Sequence, residues 1–127
     1  MSVRTAVLKN IMLLIKDVPK SVKFYSEGLG MQVNHVSEHW AELQSGQMKV
    51  CLNKVEGEAA CTTGYSPFLC FDVTQMDKTI YKLIEMGAVL DGPIKYPSHG
   101  KVASLRSPDG HMLGLFEHAE HLKQQQE

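Results

Sequence analysis

Six histidines, three cysteines, Glu42, Trp40 and Arg106 are the side chains of this 127-residue chain whose types suit chemistry. Imidazoles ligate metals and shuttle protons near neutral pH. His35 and His39 bracket a turn, His99 sits in a glycine-bearing loop and His111 opens the last strand, so each reads as a turn or surface residue rather than a catalyst. His118 and His121, three apart near the tail, share a metal only if that segment is helical, and two ligands alone make a weak site. Glu42 lies two residues beyond Trp40, on the same strand face, where it is either a base or cation ligand or a plain solvated carboxylate. Trp40 itself stacks on a planar ligand or packs in a core or dimer interface. Arg106 suits an anionic group or a salt bridge beside a hairpin. Cys51, Cys61 and Cys70 lack metal-type spacing; Cys51 and Cys70 read as small apolar residues within strands. Neither a glycine-rich phosphate loop nor a G-x-S-x-G nucleophile motif is present.

The elements that must position these groups come twice. Residues 11–33, IMLLIKDVPKSVKFYSEGLGMQV, are echoed by residues 68–90, FLCFDVTQMDKTIYKLIEMGAVL, each an apolar strand, an amphipathic helix, a glycine and a new strand. An offset of 58 aligns Ile15 with Val73, Val18 with Met76, Val22 with Ile80, Tyr25 with Leu83 and Glu27 with Glu85. Residues 7–15 read as a first strand, ended by Asp17 as a helix cap. Val18, Val22, Tyr25 and Leu29 form one apolar helix face, and Gly28 and Gly30 stop the helix. Strands over 31–36, 39–44 and 48–54 follow, with Ser45-Gly46-Gln47 as a hairpin connection. The second unit reads as a strand over 67–73, a Thr74/Asp77 capping box, a helix ended by Gly87, and strands over 88–96, 101–106 and 111–116, the last two joined by Ser107-Pro108-Asp109-Gly110. The expected fold class is therefore α+β, with two tandem βαβββ units in one domain spanning 1–127. Unit one covers about 5–56, a linker about 57–65, unit two about 66–118 and a frayed tail 119–127.

Composition narrows the partners. A formal net charge of -1 with interspersed charges leaves no basic stripe for nucleic acid and no polybasic membrane patch. No run approaches the ~18 apolar residues that span a bilayer, and the start lacks a leader pattern. A cytoplasmic, reducing setting with no membrane contact is expected.

The paired βαβββ units, the segment DVPKSVKFYSEGLGMQV and the late SPDGHMLGLFE resemble the vicinal oxygen chelate superfamily. It includes glyoxalase I, extradiol dioxygenases, fosfomycin-resistance thiol transferases, methylmalonyl-CoA epimerase and bleomycin-resistance proteins. The resemblance covers nearly the whole chain and implies curved mixed sheets around a cleft. In the family's metal enzymes, His, Gln or Glu side chains from the first and last strands of each unit hold a divalent metal. Carried over by register, those positions are Asn10, seven before Asp17; Val50, four after Gly46; Phe68, five before Val73; and Gly114, four after Gly110. Only Asn10 among them has an oxygen donor, and a shift of one residue brings up Lys9 or Ile11, Lys49 or Cys51, Pro67 or Leu69, and Leu113 or Leu115. The resemblance thus implies a member whose usual metal site is lost, with no metal and no other cofactor expected.

Strand alternation then assigns Asn10, Met12 and Leu14, Val50 and Leu52 with Met48, Phe68 and Cys70, and Met112, Gly114 and Phe116 to the cleft, with Trp40 beside them. This lining is apolar and suits a small apolar or aromatic molecule. The expected function is metal-free binding of such a molecule, as bleomycin-resistance proteins sequester a drug, although near neutrality argues against bleomycin itself. The alternative is a glyoxalase-like lyase, isomerase or dioxygenase-like enzyme with a displaced metal, or a metal-free enzyme using Glu42 or a histidine as base. A third reading is a partner protein with its cleft packed shut. The family resemblance and unpaired strand edges point to a homodimer, and the linker over 57–65 admits a cleft built from one chain or from two.

Overall fold

The structure is a computed structural model that describes residues 8–57, 64 and 67–120. Among the described residues, eight strands form two four-stranded mixed sheets of identical topology. The first holds β1 (Ile11–Ile15), β2 (Gln32–Val36), β3 (Trp40–Ser45) and β4 (Met48–Lys54) in the order β1-β4-β3-β2. The second holds β5 (Phe68–Asp72), β6 (Val89–Leu90), β7 (Gly100–Arg106) and β8 (Met112–His118) in the order β5-β8-β7-β6. In each, the first strand runs parallel to the last, which the intervening helix makes possible, and the other pairs are antiparallel. This is the α+β architecture of paired βαβββ units.

Helix α1 (Val18–Lys23) opens on Asp17, whose carboxylate accepts the Lys20 amide hydrogen at 3.0 Å, and Pro19 fits the first turn because its missing N–H is not needed there. The expected helix to Leu29 is not uniform: after Lys23 the chain widens into a π-helical turn, Phe24–Gly28, that buries Phe24 and Tyr25 edge to face. Helix α2 (Met76–Glu85) departs from the capping box read at Thr74 and Asp77. Its N-cap is Gln75, the Met76 amide donates to Glu117 Oε1 of β8 at 3.0 Å, and Asp77 pairs with Lys101 Nζ of β7 at 2.6 Å. Two strands distant in sequence therefore finish the helix end.

One apolar core joins the units. Leu13, Ile15, Val18, Tyr25, Leu43 and Leu52 from the first pack with Met76, Ile80, Leu83, Leu105, Leu113 and Leu115 from the second. A Cβ on Gly28 would lie 2.9 Å from Leu83 Cδ2, so the absent side chain is what lets the π-turn meet α2 this closely. Polar contacts reinforce the seam: Ser21 Oγ donates to Asp109, and His111 Nε2 donates to the Leu14 carbonyl at 2.8 Å.

Most expected strands hold within a residue or two, and 48–54 coincides with β4. The 88–96 strand shrinks to β6 plus a bridge between Lys95 and Val102, since Gly92 and Pro93 interrupt it. Most of the linker, Cys61, the first seven residues and the tail from His121 lie outside the described residues.

Candidate functional site

Each sheet has one face against the helices and one open face, and the ladders decide which residues share them. In the second sheet Phe68 pairs with Met112 and Cys70 with Gly114, and Phe116 follows on the same side. These five expected site residues are brought together. A Cβ on Gly114 would meet Cys70 Sγ at 3.1 Å and a Phe68 ring carbon at 3.1 Å, so both side chains lean over the glycine. His99 and His118 flank the Phe116 ring, with centroids 5.4 and 4.6 Å from it.

In the first sheet the expected face assignment needs correction. Ile11 pairs with Val50 and Leu13 with Leu52, so Val50 and Leu52 stand on the helix side with Ala41 and Leu43. Met12 pairs with Cys51 and Leu14 with Asn53, so Cys51, not Val50, shares the open face of Met12 and Leu14. The reason is turn length: four residues separate the paired Gln44 and Lys49, five separate Arg106 and Met112, and counting from the glycine of each turn hides that difference. Three consecutive buried residues, Val50, Cys51 and Leu52, leave no alternation in β4 from which to read the face. Asn10 sits half-buried just ahead of β1.

The open face of the first sheet carries Met12, 56% exposed, and Trp40, 39% exposed, beside the buried Cys51 thiol. Burial and the nearby Glu42 carboxylate push that thiol's pKa up, so it stays protonated at neutral pH. A β-bulge between Val33 and His35 adds two groups the sequence reading did not place here. Asn34 Nδ2 donates to Glu42 Oε2 at 3.0 Å and to Gln44 Oε1 at 2.9 Å, and His35 stacks on Trp40 with ring centroids 4.6 Å apart and planes 23° from parallel. Arg106 donates to the Gly110 carbonyl at 2.9 Å and thereby braces its hairpin.

A cleft of about 400 Å³ opens between the units. Ile11, Met31, Ser45, Met48 and Val50 form its wall from unit one, and the successive residues Phe68, Leu69, Cys70 and Phe71 wrap the edge strand β5 as its wall from unit two. Of the expected site residues, Val50, Phe68 and Cys70 reach it, whereas Met12, Leu14, Trp40, Met112, Gly114 and Phe116 belong to the open faces and Leu52 to the core. The lining is almost wholly apolar and includes two methionines and two phenylalanines, which adapt to or stack on organic ligands. Among the described residues, no three His, Cys, Asp or Glu side chains are grouped to hold a metal ion. Nor does any helix among them reach the length and apolarity needed to cross a membrane.

This geometry has known counterparts. The sequence model of the Glyoxalase/Bleomycin resistance protein/Dioxygenase superfamily matches residues 7–115. A virulence protein of Salmonella typhimurium is 24% identical over 120 residues, which cover 87% of this chain and 83% of that protein. A glyoxalase/bleomycin resistance protein/dioxygenase family enzyme from Burkholderia phytofirmans superposes with a TM-score of 0.74 at 21% identity, over 88% of this chain and 98% of that one. The bleomycin-binding protein of Streptomyces verticillus, complexed with copper(II)-bleomycin, does so with a TM-score of 0.62 at 16% identity, over 89% and 97%. At such identities the structural likeness speaks for the fold.

Proposed function

Since the chain belongs to the Glyoxalase/Bleomycin resistance protein/Dioxygenase superfamily, we propose that it is a metal-independent member that binds a small apolar or aromatic molecule between its two units. The observation that carries this reading is the apolar cleft walled by Met31, Met48 and Val50 on one side and Phe68 to Phe71 on the other. The donor set argues the same way. With the register corrected, the positions that hold metal in the family's enzymes carry Asn10, Cys51, Phe68 and Gly114. Cys51 is kept as a thiol by burial, and the space above Gly114 is taken by Phe68 and Cys70. A hard or borderline cation needs three or four nitrogen or oxygen donors on these strands, and this set does not fit one.

Two copies of the chain associate in this reading, because among the described residues both sheets end on strands with an unpaired edge, β1 and β2 in the first and β5 and β6 in the second. Sedimentation as a monomer at micromolar concentration opposes that part.

The test is a ligand screen by thermal shift on untagged protein with neutral aromatic probes such as 1-naphthol, repeated on Phe68→Asp. Saturable stabilisation that the substitution removes is the expected result. Elemental analysis after chelator washing and exposure to Zn, Ni, Mn, Fe and Mg completes it. Near-stoichiometric retained metal overturns the metal-independent reading, and an absence of stabilisation by any apolar probe overturns the binding one.

A further inference from the structure

We propose that the open face of the first sheet holds a second site, for a planar cationic group such as an amidinium or a protonated amino-heteroaromatic ring. The site juxtaposes the Glu42 carboxylate with the stacked His35 and Trp40 rings. It is separate from the apolar cleft and does not depend on it.

Glu42 is half-buried on β3, opposite His35 on β2 and two residues from Trp40, so all three stand on one face. The bulge turns Asn34 to the same side, where its amide nitrogen spends both hydrogens, one on Glu42 Oε2 at 3.0 Å and one on Gln44 Oε1 at 2.9 Å. The carboxylate is thereby held in one orientation by a neutral donor. No lysine, arginine or histidine among the described residues forms an ion pair with Glu42. An oriented carboxylate that is partly desolvated attracts a cation more strongly than one in free solution.

The aromatic pair supplies the second element of recognition. The His35 and Trp40 rings stack within 23° of parallel, and Trp40 keeps 39% of its surface exposed. Indole is the side chain that best attracts a cation over its face. A carboxylate beside an indole matches a flat cation with in-plane N–H donors, which can donate to the carboxylate while its ring lies on the aromatic surface. A compact ammonium would satisfy only one of these. The Gln44 amide is itself fixed beside Glu42, accepting from Asn34 Nδ2 at 2.9 Å and donating to the Gly46 carbonyl at 2.8 Å.

Trp40 is the chain's single tryptophan, so its fluorescence reports this site without labelling. The full chain is titrated with benzamidine and with its neutral isostere benzamide. Saturable quenching by benzamidine, at least tenfold tighter than by benzamide and weakened by salt, is the expected result. Glu42→Gln is expected to bring the two probes within about twofold of each other, and Gln44→Glu to tighten benzamidine severalfold. Equal responses to the two probes, linear collisional quenching without saturation, or no change in either variant overturns the proposal. The apolar cleft is read separately, by neutral probes and Phe68→Asp, so the two readings fail independently.

Discussion

His111 Nε2 donates a hydrogen bond of 2.8 Å to the carbonyl oxygen of Leu14, 97 residues earlier in the chain. The carbonyl is on the edge strand of the first sheet, and the ring comes from the turn before β8. His111 is buried, its backbone N–H bonds Ser107 Oγ at 3.1 Å, and its carbonyl accepts from the Ser107 amide at 2.8 Å. The imidazole that opens the last strand, expected from the sequence as a turn or surface residue, is thus a buried tie between the units.

His111→Ala is expected to destabilise the protein by about 2 kcal/mol, the cost of leaving a buried acceptor unpaired and a small void in the seam. The measurement is urea unfolding followed by far-UV circular dichroism. A change under about 0.5 kcal/mol would show that this bond does not hold the units together.

Glu117 is almost completely buried and accepts the first amide hydrogen of α2. Glu117→Ala is expected to cost about 2 kcal/mol, because it removes a charge-assisted bond to a helix N-terminus and strands the Met76 N–H. Hydrogen exchange at Met76 and Asp77 should accelerate with it; unchanged exchange at those amides contradicts the capping role.

Gly114→Ala places a methyl 3.1 Å from both Cys70 Sγ and the Phe68 ring. Both side chains are exposed and have room to yield, so about 1 kcal/mol of destabilisation is expected, at the low end of overpacking. A larger residue there displaces Phe68 from the cleft. Thermal unfolding of Gly114→Ala and Gly114→Leu distinguishes graded crowding from an open site, in which the two would be equally stable.

In a Cys61→Ser background, Cys70 is exposed and Cys51 is buried. Cys51 is expected to react with a thiol reagent at least tenfold more slowly at pH 8, with its rate still rising above the ordinary thiol pKa. The linkage has a definite sign. A thiol whose folded pKa lies above its unfolded value of about 8.5 favours the folded state's neutral form, so stability falls as pH rises past that value. Cys51→Ala should flatten this alkaline fall, and an unchanged profile refutes the assignment.

The duplicated pattern was legible because it is local. Asp17 before Val18, the apolar spacing of each helix and the glycines after them specify elements through interactions a few residues long, and the resemblance they carry led to the superfamily fold. Of the strand positions carried over from the resemblance, the one in β4 falls on the other face, since Cys51 and not Val50 stands beside Met12. That placement is not a local property. A strand buried on both sides has no alternation to read, so the side on which Val50 or Cys51 stands is set by pairing with β1 and β3. The bulge that puts both Asn34 and His35 beside Glu42, the cap that Glu117 lends to α2 and the bond from His111 to Leu14 are also outcomes of tertiary structure. Each joins groups on separate strands or helices, and a sequence states which groups exist but not which of them the folded chain brings within hydrogen-bonding distance.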